Sequence, residues 1–257
     1  MDDELLTTVE AGVLRLTLNR PDRLNALTEA MSDALAGEVE AARARDEVRV
    51  VVLGGAGGSF CAGADVGGAD AHERFDVTAL DRANRVTRAL VSLDKPVVAS
   101  VSGVAAGVGC SMALACDLVV AAESASFLLA FSRIGLMPDG GASATVAASV
   151  GRARAMRMAL LGERLPAREA YEAGLVSHLV ADDELGGTVD ELATRLAAGP
   201  PLSYAATKKA VNAATLGHLD EALERERTGQ SILLRTDDAA EGMRAFGEKR
   251  RPRFTGS

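Results

Sequence analysis

Two apolar runs, each followed by a glycine-rich turn, restrict how this chain can fold more than any other feature. Residues 48–53 form a short, nearly continuous apolar run ending in Leu53 and lead into Gly54-Gly55-Ala56-Gly57-Gly58 and then Phe60-Cys61-Ala62-Gly63-Ala64-Asp65. Residues 97–101 repeat the device and lead into Gly103-Val104-Ala105-Ala106-Gly107-Val108-Gly109. Nearly continuous apolar runs of this length belong to strands covered on both faces, so a parallel sheet with helices on its sides is implied.

Around these runs the order is strand, helix, strand, helix. Leu14, Leu16 and Leu18 alternate with Arg15, Thr17 and Asn19 in a half-buried strand, stopped by Pro21 and Asp22. Thr28 is placed to N-cap a helix carrying Met31, Leu35 and Val39 on one stripe. Residues 69–93 read as a polar loop and then a helix, 111–115 as a short helix and 118–121 as a strand. The order implies βαβ units. Beyond about residue 140 the texture turns helical, over 152–161, 167–173, 190–198, 203–214 and 218–234. Asp220, Glu221, Glu224, Arg225 and Glu226 in the last of these read as a solvated face. An α/β core over 1–195 and a helical region over 196–257, packed on the core or on a neighbouring subunit, is the expected division.

Net charge is −8, which argues against nucleic acid as a partner because phosphate contacts need clustered Lys and Arg. The three cysteines, Cys61, Cys110 and Cys116, have no metal-ligand spacing and read as reduced thiols. The first residues resemble no signal peptide and no apolar run reaches membrane-span length, so a soluble cytoplasmic protein is expected.

Small residues let backbone approach a ligand closely, and a turn that opens a helix directs unpaired N–H groups outward. Two such turns facing each other bind an oxyanion. The plain alternative, tight turns with no ligand, stays open at this level, while neither turn fits a Walker or dinucleotide fingerprint. In Met137-Pro138-Asp139-Gly140-Gly141, Asp139 is either the N-cap of the following helix or a general base facing a cleft. His72, His178 and His218 have no nucleophile partner, and Ser111 sits in no GxSxG elbow.

Taken in order, these segments resemble the crotonase (enoyl-CoA hydratase/isomerase) superfamily over essentially the whole chain. The likeness runs through Leu18-Asn19-Arg20-Pro21, Leu24-Asn25-Ala26-Leu27, residues 60–65, Lys95-Pro96-Val97, residues 103–107, Ala115-Cys116-Asp117, residues 135–141 and Ala173-Gly174-Leu175-Val176. Phe246 and Phe254 match the family's closing pattern. The resemblance implies a spiral of ββα units with a C-terminal helical trimerisation region, assembled as a homotrimer or hexamer. It implies that the N–H groups of Ala64 and Val108 hold a thioester carbonyl. Ala62, Ala64 and residues 24–26, with Leu24 and Ala26, would follow the adenine and pantetheine, and Arg23, Asp65, Val66, Val108 and Phe131 would also meet substrate. Lys249, with Arg250 and Arg251 beside it, is a candidate for the CoA phosphates, against the plain reading of a solvated basic tail. No metal or separate cofactor is implied, since CoA arrives with the substrate.

The chain departs from the family's hydratases at both of their glutamates. Ser111 stands at one position and Phe131 at the other. Asp139 falls where dienoyl-CoA isomerases and the 4-chlorobenzoyl-CoA dehalogenase place an aspartate, and the ring-1,2-epoxyphenylacetyl-CoA isomerase group shares Ala130-Phe131-Ser132 and Pro138-Asp139. The expectation is an acyl-CoA isomerase with Asp139 as base. A hydratase or other crotonase reaction, or a non-catalytic acyl-CoA-binding protein, stands as the alternative.

Overall fold

Alternating burial along Val13–Leu18 makes strand β2, which pairs antiparallel with β1 (Leu5–Glu10) and parallel with β3 (Val50–Gly55). The structure is a computed structural model describing residues 3–66, 72 and 75–257. The main sheet continues in parallel through β4 (Val97–Val101), β6 (Leu118–Ala122) and β9 (His178–Val180), in the order β1-β2-β3-β4-β6-β9. The apolar run in β3 is sealed on both faces, as its sequence implies. Val51 and Leu53 join the large core cluster with Met31, Leu35 and Val39, whereas Val50 and Val52 pack with Leu185, Val189 and Ala193.

Met31, Leu35 and Val39 lie on helix α1 (Glu29–Ala42), whose N-cap Thr28 accepts a hydrogen bond from Met31 N at 3.1 Å. Leu35 is fully buried, and truncating such a leucine to alanine costs about 3 kcal/mol through lost transfer energy and the cavity left behind. Helix α2 (Val77–Ser92) packs on α1 and is N-capped by Asp76. Of the loop expected before it, residues 67–71, 73 and 74 lie outside the described residues.

A second, three-stranded sheet joins β5 (Val104–Ala106), β7 (Ser126–Leu128) and β8 (Leu165–Pro166). Its strands are two or three residues long, too short for an alternating pattern, and none was expected from sequence. Helix α3 (Val108–Leu114) follows β5 directly. Helix α4 (Ala142–Leu161) starts directly after the turn at residues 138–141, as its sequence implies, and runs on through the helix expected at 152–161, with Gly151 interrupting it at φ 74°, ψ 165°.

Helices α5 (Ala167–Glu172), α6 (Leu185–Ala197), α7 (Pro201–Thr215), α8 (Leu219–Leu233) and α9 (Asp237–Gly247) complete the chain. Helix α9 was not expected. It closes against the turn at residues 130–134, so tightly that a Cβ on Gly242 would lie 2.5 Å from backbone carbonyl atoms of Ile134. Helix α7 is pinned by Lys208, which donates to Leu90 O at 2.8 Å and pairs with Asp117 at 2.8 Å. Among the described residues no helix is long and apolar enough to cross a membrane.

Candidate active site

The two glycine-rich turns run side by side. Cys61 N donates to Val104 O and Ala106 N donates to Cys61 O, both at 2.9 Å, making a short parallel bridge. A Cβ on Gly63 would stand 3.0 Å from Ala106 O, and one on Gly109 would stand 2.6 Å from Cys61 O, so only bare backbone fits between the turns. Gly107 adopts φ 52°, ψ −132°, outside the range of other residues, and so swings the chain from β5 into α3.

This crossing leaves two backbone donors unused. Val108 is the first residue of α3, where an N–H has no acceptor one turn earlier. At the other turn, Leu27 N donates to Gly63 O at 2.8 Å and Asp65 N donates to Leu27 O at 3.0 Å. In that parallel pattern the N–H of Ala64, between them, points the opposite way. Neither N–H has a protein acceptor among the described residues, and both residues line one cavity of about 630 Å³.

Asp139 lines the same cavity and is buried. It does not cap α4: Gly141 occupies the N-cap position, and the Asp139 carboxylate accepts from no backbone N–H of that helix among the described residues. Its Oδ2 accepts from Gln230 Nε2 at 2.9 Å, while its Oδ1 is buried with no hydrogen-bond partner among the described residues. Burial pushes the Asp139 carboxyl up to about 7, the Gln230 hydrogen bond opposes this, and the charge of Glu226 adds to it. Ser111, at one hydratase position, donates its hydroxyl to Asp139 O at 2.7 Å and so holds the loop. Phe131, at the other, is buried and presents an apolar wall to the cavity.

The segment bearing Asp139 is held by α8, and here the solvated-face reading of Glu226 is corrected. Glu226 is 1 % exposed, and its carboxylate accepts from Gly141 N at 2.7 Å and Ser143 N at 2.8 Å. Gln230, one turn later, accepts from Met137 N at 3.0 Å and donates to Met137 O at 2.9 Å. Nothing in the sequence separates Glu226 from the exposed acids around it. The one signal is the glycine within the helix, Gly229, where a Cβ would meet Met137 Sδ at 2.6 Å.

Of the other expected contacts, Leu24, Ala62, Asp65 and Val66 line the cavity. Leu24 and Asn25 sit at φ 49° and 56°, a left-handed pair costing roughly 1–2 kcal/mol per residue without compensation. The compensation comes from the buried Asn25 amide, which donates to Ala56 O and Ser59 O and accepts from Arg20 N. Asp65 pairs with Arg20 at 2.9 Å. Arg23, Ala26 and Lys249 are not on the cavity wall. Arg23 is exposed on the turn at residues 21–23, and Ala26 lies beneath it with its carbonyl taken by Arg20. Lys249 is exposed beyond α9, and Arg250 beside it is engaged by Glu241 and Glu248. Among the described residues no group of acids, histidines or cysteines is arranged for a metal.

A family model described as enoyl-CoA hydratase/isomerase matches residues 8–257. The chain belongs to this family, the crotonase superfamily. A curated relative, the 1,2-epoxyphenylacetyl-CoA isomerase of Escherichia coli (strain K12), is 41 % identical over the whole of both chains. The 2,3-dehydroadipyl-CoA hydratase of the same organism is 38 % identical over 98 % of this chain and 99 % of its own. The crystal structure of an enoyl-CoA hydratase from Mycobacterium avium subsp. paratuberculosis K-10 superposes with a TM-score of 0.93 at 50 % identity, covering 98 % of this chain and 99 % of that one. The crotonase fold expected from the sequence is therefore the fold present, with its helical C-terminal region.

Proposed function

We propose that this crotonase-family protein is an acyl-CoA isomerase in which Asp139 alone moves the proton. The observation that carries the reading is the unpartnered, buried Oδ1 of Asp139 in a cavity shared with the free N–H groups of Ala64 and Val108. With the thioester oxygen on those two donors, the Cα–H bond breaks and its proton goes to Asp139. The electron pair becomes an enolate held by the hydrogen bonds. The proton then returns at the γ carbon as the double bond shifts to α,β, so that no water is consumed and Asp139 ends ionised. A base with a pKa raised toward 7 is matched to this task, since it both takes and returns a proton near neutral pH.

The family's hydratases need a second carboxylate for water. Ser111 spends its hydroxyl on Asp139 O and Phe131 offers only carbon, so neither supplies one. Among the described residues, the other carboxylates on the cavity wall are paired with arginines, Asp65 with Arg20 and Glu29 with Arg82. A hydratase reading draws support from relatives named as hydratases, such as the 2,3-dehydroadipyl-CoA hydratase. Incubation with a 3-enoyl-CoA separates the two. Isomerisation raises the absorbance of the conjugated thioester at constant product mass, whereas hydration yields a product heavier by one water. The same reading includes assembly as a homotrimer or hexamer. Exposed Leu160, Leu161 and Leu202 would be covered in it, and light scattering on the purified protein reads its mass.

A further inference from the structure

The Asp139 carboxylate is asymmetric, and the asymmetry is imposed from a helix far along the chain. Gln230 on α8 uses its whole amide at this point. Its Oε1 accepts from Met137 N, and its Nε2 donates both to Met137 O and to Asp139 Oδ2, at 3.0, 2.9 and 2.9 Å. The side chain is 1 % exposed. The two bonds to Met137 fix which way the amide faces, because Met137 N offers a proton and Met137 O accepts one. An amide so locked can present only an N–H to Asp139. It therefore favours the ionised carboxylate, and it holds Oδ2 while Oδ1 stays unpaired.

We infer that Gln230 is a positioning residue for the reaction, selecting Oδ1 of Asp139 as the oxygen that exchanges the proton with the acyl-CoA. This rests on the reading of Asp139 as the base. Gln230 touches no reacting atom in this scheme. It acts by setting the carboxylate's orientation and its affinity for the proton. Among the described residues, the charged groups near Asp139 are Glu226, from α8, the arginine-paired Glu29 and Asp65 on the cavity wall, and three arginines on that wall. These are Arg82 on α2, Arg133 in the turn at residues 130–134, and Arg164 before β8. Glu226 and Gln230 act on Asp139 in opposite senses, Glu226 raising its pKa by charge and Gln230 lowering it by donation.

Two replacements separate positioning from packing. Gln230→Met keeps the length and removes every hydrogen bond. Gln230→Glu keeps the shape and the acceptor for Met137 N, but places a second carboxylate beside Oδ2, where two negative charges in contact cannot both persist. A residue that only packs makes Gln230→Glu the milder change. A residue that positions the base makes it the more disturbing one for Asp139.

The experiment is an infrared titration of the Asp139 carboxyl, identified by the band lost in Asp139→Asn, alongside melting temperature, kcat and KM with a 3-enoyl-CoA. The expected midpoint rises from wild type to Gln230→Met and is highest in Gln230→Glu, while melting temperature falls further in Gln230→Met. With Asp139 no longer aimed, kcat falls about ten- to a hundredfold at nearly constant KM. An unchanged midpoint in both variants, with Asp139→Asn inactive, overturns the role of Gln230 and leaves the base in place. Turnover that survives Asp139→Asn overturns the isomerase reading itself.

Discussion

Gln230 donates its side-chain N–H to Asp139 Oδ2 at 2.9 Å across 91 positions of sequence. The candidate base thus lies mid-chain and its hydrogen-bond partner in the helical C-terminal region. One follows the second glycine-rich turn and the other sits on the penultimate helix, so α8 belongs to the site as much as the α/β body does.

Activity should rise with pH. Proton abstraction needs the ionised carboxyl, and Asp139 is pushed up to about 7 mainly by burial. Initial rates at low substrate should climb through an acid limb centred near that value. A limb near pH 4, the range of an ordinary aspartate, would contradict the burial argument.

Glu226→Gln should move that limb the other way from the Gln230 variants. It removes the negative charge that raises Asp139, so the limb shifts to lower pH. A carboxamide can accept from Gly141 N or Ser143 N through its single oxygen, leaving the other N–H unsatisfied. The expected stability loss is about 1–3 kcal/mol, read by urea denaturation.

Asp139 should cost the fold stability at neutral pH. Its folded pKa, about 7, lies above the ordinary aspartate value of 3.8, so the native state binds the extra proton between those values. Stability is then full below pH 4 and declines as pH rises through 7, by about 4 kcal/mol at most. Asp139→Asn should melt higher than wild type at pH 8, with the difference shrinking toward pH 4. Parallel melting curves at all pH values would count against a buried, raised carboxyl.

Val108→Pro tests the oxyanion donor without removing a side chain that does chemistry. Proline suits the first position of a helix, whose N–H is unpaired within the helix, and Val108 holds that position in α3. Losing one such donor typically costs about 3 kcal/mol of transition-state stabilisation, so kcat should drop on the order of a hundred- to a thousandfold with the fold intact. Circular dichroism checks the fold and steady-state kinetics the rest.

Much of the body was legible because its signals are local. The apolar run of β3, the leucine alternation of β2 and the cap of Thr28 each announce an element within a few residues. The fragments β5, β7 and β8 were not legible, being defined by what lies beside them and not by their own pattern. At the site, Ala64, Val108 and Asp139 were marked by turns and family likeness, and the structure brings all three to one cavity. Glu226 was read as solvated and Gln230 was not marked, because a buried polar residue among exposed ones looks the same in one dimension. Arg23, Ala26 and Lys249, expected at substrate from family likeness, lie off this cavity wall.

The most direct test of the central claim is conversion of a 3-enoyl-CoA to the conjugated 2-enoyl-CoA by wild type and Asp139→Asn, with CoA affinity measured in parallel. The account predicts turnover by wild type, its loss in the variant, and unchanged CoA binding. Sustained turnover by Asp139→Asn would contradict it.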